Sequence, residues 1–86
     1  FKSYGEKVIA DLKALAEERD GWQAEKINYE GIRINTDKNN GDGWFLLRMS
    51  VHDPILVLNL ESNTADGTKK MLADVTEFLK AYDKLN

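Results

Sequence analysis

Apolar residues recur along the chain with two different periods, and the periods assign the elements. Tyr4, Val8, Ile9, Leu12, Leu15 and Ala16 fall at three- and four-residue steps, one stripe of an amphipathic helix. Lys7, Lys13, Glu17 and Glu18 lie off that stripe. Ser3 with Glu6 three residues on has the form of a capping box, and Asp20-Gly21 supplies a left-handed stop. Over residues 26–36 the apolar positions are Ile27, Tyr29, Ile32 and Ile34, so the alternation of a strand changes phase at Glu30-Gly31. That phase change predicts either a bulge or a short turn. Residues 37–43 contain both Asn-Gly and Asp-Gly and read as a hairpin loop. Residues 44–48 form a strand partly covered on both faces, residues 49–54 interrupt it, and residues 55–61 are the strongest strand of the chain.

Ser62, Asn63 and Thr64 supply N-cap candidates for a second helix, with Met71, Leu72, Val75, Phe78, Leu79 and Tyr82 as its apolar stripe. Gly67 weakens its first turn by up to about 1 kcal/mol relative to Ala. The expected order is helix, three strands, helix. This fits an α+β sandwich: an antiparallel meander with two helices packed on one face. The mixed apolarity of the strands predicts that the other sheet face is not fully solvated.

Composition narrows the chemistry. The chain has 86 residues, enough for one domain over 1–86, with no cysteine and one histidine. Disulfides, thiolate metal sites and a Cys nucleophile are thereby removed, and any His-based site rests on His52 alone. A net charge of −3, with Lys69-Lys70 the only adjacent basic pair, draws in neither nucleic acid nor an anionic membrane by bulk field. Neither an apolar run of membrane-spanning length nor a signal-peptide pattern is visible, and the absence of cysteine fits a cytoplasmic protein. Because the chain begins at Phe1 rather than Met, it is expected to be a piece of something longer.

The segment with chemical content is Arg48-Met49-Ser50-Val51-His52-Asp53-Pro54, set between two apolar strands. An anion site needs donors that converge. Arg48 offers a planar fork of N–H groups, Ser50 a hydroxyl, and His52 an imidazole. The backbone N–H groups of residues 50–52 can line a tight loop. Pro54 fixes its own φ and turns Asp53 away from helix, so the loop closes directly into the next strand. The same residue types are also ordinary hairpin-loop residues.

Several stretches acting together resemble the C-terminal domain of the α-D-phosphohexomutases, the family of phosphomannomutase/phosphoglucomutase. They are Glu30-Gly31-Ile32-Arg33, then Asp42-Gly43-Trp44-Phe45-Leu46-Leu47-Arg48-Met49-Ser50, then Asp53-Pro54, an apolar strand and Glu61. The resemblance runs from about Tyr29 to Phe78. It implies a TATA-binding-protein-like layout and a role as a mobile lid whose loop grips the phosphate of a hexose phosphate. Arg48, Ser50, Val51 and His52 are then the phosphate-binding positions. Val51 stands where the family has Gly or Asn and contributes only its backbone N–H; His52 stands where it has Thr. Asp53 caps the loop rather than touching an anion. By the same resemblance the transferring phosphoserine, the Mg²⁺ and the sugar-reading residues belong to other domains, which are the expected partners. No cofactor is expected here, and the chain alone is expected not to catalyse. Which hexose phosphate is used is not written in this segment.

Two other readings compete. One is a binding or interaction module of the same fold whose altered loop has lost phosphate affinity. The other is a nucleic-acid binder, disfavoured by the acidic pI and the missing basic stripe. Trp22 and Trp44 are candidates for stacking a sugar ring, but read more simply as core or interface residues. Glu17-Glu18 reads as a solvated face. Asp37 and Asp42 do not have EF-hand spacing. Arg33 is expected to point outward from its strand toward a neighbouring domain.

Overall fold

Two helices cover one face of a four-stranded antiparallel sheet in this computed structural model, which describes residues 2–27, 31–50 and 52–82. The order is α1 (Lys2–Glu18), β1 (Trp22–Ile27), β2 (Gly31–Thr36), β3 (Gly43–Met49), β4 (Leu56–Ser62) and α2 (Ala65–Leu79). The strands lie in chain order, each antiparallel to the next. The α+β meander expected from the periodicity is therefore present, with one strand more than expected. Residues 26–36 are not one strand, because Ile27 pairs with Ile32 and the chain reverses between them. The residues at the reversal, including Tyr29 and Glu30, lie outside the described residues.

The extra strand β1 escaped the alternation because Glu25 is bulged. The register passes from Ala24 opposite Ile34 to Lys26 opposite Arg33, leaving Glu25 without a counterpart. The helix-facing side of the sheet carries Trp22, Ile32, Ile34, Phe45 and Leu47. They close on Val8, Ile9, Leu12 and Ala16 of α1 and on Met71 and Val75 of α2, and every one of these side chains is buried. The α1 stripe is thus as expected, except that Ser3 and Glu6 lie inside the helix, which begins by Lys2, so they form no capping box. Leu72, assigned to the α2 stripe, is instead half exposed, and Tyr82 lies past the end of the helix.

The turns are held by side chains. Gly21 takes φ +87° and stops α1. Asp37 Oδ1 accepts from the Asn39 amide and from Asn40 Nδ2, the turn chemistry Asp and Asn are suited to. Thr64 caps α2 by accepting from Gly67 N at 2.9 Å. Gly67 has a reason to be small. A Cβ there would drive into the Gly41 carbonyl and the Ser62 hydroxyl, which itself donates to that carbonyl.

Candidate phosphate-binding loop

Strand alternation decides which side chains can meet at the end of β3. Phe45 and Leu47 point into the core, so Trp44, Leu46 and Arg48 point to the helix-free face. Across the ladder, Arg33 and Asn35 of β2 and Val57, Asn59 and Glu61 of β4 share that face. Much of it is bonded side to side. Glu25 Oε2 accepts from Asn35 Nδ2 at 2.6 Å and lies 3.5 Å from Arg33 Nε. The Arg33 guanidinium lies 4.4 Å above the Trp44 ring, and Trp44 Nε1–H donates to Glu61 Oε2 at 3.2 Å. This lace crosses all four strands. Arg33 does face outward, and its charge is already balanced by Glu25.

Arg48 stands apart from the lace. It is half-buried opposite Gly31 on one side and Val57 on the other, and it makes no ion pair among the described residues. A Cβ on Gly31 would stand 3.0 Å from Arg48 Cβ, so the glycine leaves the room the arginine stem occupies. Ser50, two residues on, has the same strand parity as Arg48. Its N–H donates to Ile55 O at 3.0 Å and closes the hairpin, while Ile55 N donates to Asp53 O at 2.8 Å.

Inside that closure the donors converge. The backbone N–H groups of His52 and Asp53 both point at Ser50 Oγ, at 3.4 and 3.3 Å. Both bonds are long, so the hydroxyl oxygen sits loosely in a small nest of amides. The four residues picked out in the sequence divide accordingly. Arg48 and Ser50 stand two residues apart at one sheet end, His52 is exposed with its amide turned to Ser50 Oγ, and Val51 lies outside the described residues. The convergence of the Asp53 amide was not anticipated; the serine two to three residues before it was the available signal.

The other singled-out residues lie in the core or on the solvated surface. Trp22 is 5% exposed and packs edge-on to Phe45 with the Arg19 guanidinium 4.2 Å over its ring. Glu17 and Glu18 are exposed. Two shallow clefts, one reaching Lys38, Asp66 and Lys70 and the other Gln23, Asn35 and Asp37, lie at the opposite end of the sheet from Ser50. No helix among the described residues is long and apolar enough to cross a membrane. Comparison with protein-family models, with curated proteins and with solved structures found no match.

Proposed function

We propose that this chain is a phosphate-gripping lid domain of the phosphohexomutase type, acting on a hexose phosphate with other domains of a longer enzyme. The observation that supports it most is the pair of amides, His52 and Asp53, aimed at Ser50 Oγ two residues beyond Arg48, which makes no ion pair among the described residues. A phosphate oxygen arriving at that point replaces the long contacts to Ser50 Oγ with charge-assisted bonds, each contributing about 1.5–3 kcal/mol net. Arg48 supplies the balancing charge and a bidentate fork. The Ser50 hydroxyl, once displaced, rotates to donate. His52 adds an imidazole donor at the rim.

In this reading the domain binds and orients and does not itself react. Mg²⁺ and the phosphoryl-carrying serine belong to partner domains, so no step of the transfer is assigned to residues of this chain. What the loop contributes to the rate is positioning: in the complete enzyme, Arg48→Ala costs at least about 2 kcal/mol of transition-state stabilisation.

The test is a titration of the 86-residue chain with inorganic phosphate and with a hexose 6-phosphate, followed by amide and arginine-side-chain NMR. Shifts concentrated at Ser50, His52, Asp53 and the Arg48 guanidinium, abolished in Arg48→Ala, are expected. His52→Ala is expected to weaken phosphate binding if its side chain is a ligand and to leave it unchanged if only its backbone amide serves. Absence of any loop response at millimolar ligand rejects the lid and leaves an interaction module of the same fold.

A further inference from the structure

Asn40-Gly41 is the only Asn-Gly pair in the chain. A glycine after asparagine leaves its backbone nitrogen uncrowded and its dihedrals free, which lets that nitrogen attack the asparagine side chain. Whether it does so depends on what holds the two residues. The backbone on either side of the pair is pinned to one acceptor: Asn40 N and Asp42 N donate to Asp37 O at 3.0 and 2.8 Å. The side-chain amide is held at both ends. Asn40 Nδ2 donates to Asp37 Oδ1 at 2.8 Å and to Asp20 O at 3.4 Å, and Asn40 Oδ1 accepts from Arg19 Nη2 at 3.3 Å. Gly21 makes room for it, since a Cβ there would overlap Asn40 Nδ2. Asp37 N closes the same seam by donating to Gly21 O at 2.9 Å. Together these bonds clasp the turn after α1 to the loop after β2.

The attacking nitrogen is not held in the same way. In the Asp42-Gly43 pair, Gly43 N donates to Thr36 Oγ1, and in the Asp66-Gly67 pair, Gly67 N donates to Thr64 Oγ1. Gly41 N has no acceptor among the described residues. Protection of Asn40 therefore rests on the clasp.

We propose that Asn40 is a deamidation site gated by this clasp: the fold suppresses the reaction, local opening releases it, and the product cannot remake the clasp. In the opened loop Gly41 N bonds to Asn40 Cγ. The Cγ–Nδ2 bond breaks, the Gly41 amide proton passes through solvent to the leaving nitrogen, and ammonia departs from a five-membered succinimide. Water then opens the ring at either carbonyl, leaving aspartate or isoaspartate at position 40. In the closed loop the ring does not form, because Cγ becomes tetrahedral only by turning Oδ1 and Nδ2 out of the plane in which Arg19, Asp37 and Asp20 hold them. Aspartate at position 40 has no N–H for Asp37 Oδ1 or Asp20 O and sets one carboxylate against another. Isoaspartate in addition lengthens the backbone by one carbon. There is no room for it: Gly41 is buried against Met71 and Gly67, and its carbonyl accepts from Ser62 Oγ. The modification is thus a one-way record that the loop has opened. It does not depend on phosphate binding.

The test incubates the 86-residue chain at mildly alkaline pH, in buffer and in denaturing urea, and follows conversion of Asn40 by peptide mass mapping. Conversion in buffer is expected to be at least about tenfold slower than in denaturing urea. In urea below the unfolding transition, the rate is expected to rise with a shallower slope than global unfolding, because opening the clasp exposes less surface. Asp37→Ala removes one holder of the amide and is expected to speed conversion in buffer at least about threefold while the amide spectrum stays native. Asn40→Asp carries the normally linked product without ageing and is expected to lower the urea midpoint. Equal rates in buffer and in denaturing urea overturn the proposal, as does a rate that follows global unfolding alone. So does a folded Asp37→Ala chain that converts no faster, or an Asn40→Asp chain with an unchanged midpoint. The urea series needs no variant and decides the matter if Asp37→Ala does not fold.

Discussion

Gly67 shows how a residue's cost and its necessity can be separated. On helix propensity alone, Gly67→Ala gains up to about 1 kcal/mol. The added methyl, however, meets the Gly41 carbonyl and the Ser62 hydroxyl, both fixed by their mutual hydrogen bond. Overpacking against such a site costs about 1–3 kcal/mol and wins. Gly67→Ala is therefore expected to lower the midpoint of urea unfolding, whereas a substitution judged by propensity raises it. Tyr82 carries the second prediction at this scale. Burial, and then its hydrogen bond to Asp11 Oδ2 at 2.7 Å, push its hydroxyl well above the ordinary tyrosine range. The bonds from Lys7 and from Tyr82 hold the Asp11 carboxyl below its usual value. A raised acid is protonated in the folded chain after it has ionised in the unfolded one, so its contribution is full below about pH 10 and lost as pH rises. A depressed carboxylate contributes above about pH 4 and loses that contribution as pH falls. Chemical denaturation across this range should show Tyr82→Phe less stable near neutrality and less steeply destabilised above pH 10; identical slopes for both proteins contradict the assignment.

Between elements, one contact that fixes the end of α1 against α2 is Arg19 with Asp74, whose side chains are 28% and 16% exposed. Arg19 also covers Trp22 and donates to Asn40 Oδ1 at 3.3 Å, so one guanidinium joins the end of α1, the start of β1, the loop after β2 and the middle of α2. Asp74→Ala leaves that charge half-buried and is expected to cost about 1–3 kcal/mol. Lys70→Ala removes a more exposed partner of the same carboxylate and should cost under about 1 kcal/mol; thermal unfolding of the pair in parallel compares them. This level is also where reading from sequence succeeded and failed. The stripes Val8–Ile9–Leu12–Ala16 and Met71–Val75 have helical spacing and are the buried faces observed. β1 was hidden because Trp22 and Ala24 are its first two inward residues and the Glu25 bulge then breaks the alternation. Leu72 misled because spacing marks which flank of a helix is apolar, not whether a neighbour covers it. That Arg48 and Ser50 share strand parity is legible in the sequence, whereas the amides meeting at Ser50 Oγ required the hairpin's closure.

At the scale of the whole molecule, chemistry and packing occupy opposite faces of one sheet. The helices take the side that buries Phe45, Ile32 and Ile34. The other side is left to Glu25, Arg33, Trp44 and Glu61, whose mutual contacts run across all four strands and stiffen the platform from which Arg48 projects. Under the proposed function the −3 net charge does not oppose an anion at the loop, because Glu25 and Glu61 are engaged by Arg33 and Trp44. The contact between Tyr82 and Asp11 has a further consequence, for how the chain folds. It joins residues 71 apart in an otherwise local meander, in which each strand pairs with the next. Hairpins of that kind close early because their loops are short, whereas a contact spanning nearly the whole chain bears the largest loop-closure entropy. The seam between the two helices is thus a late event on the way to the native state, and strengthening it slows unfolding more than it speeds folding.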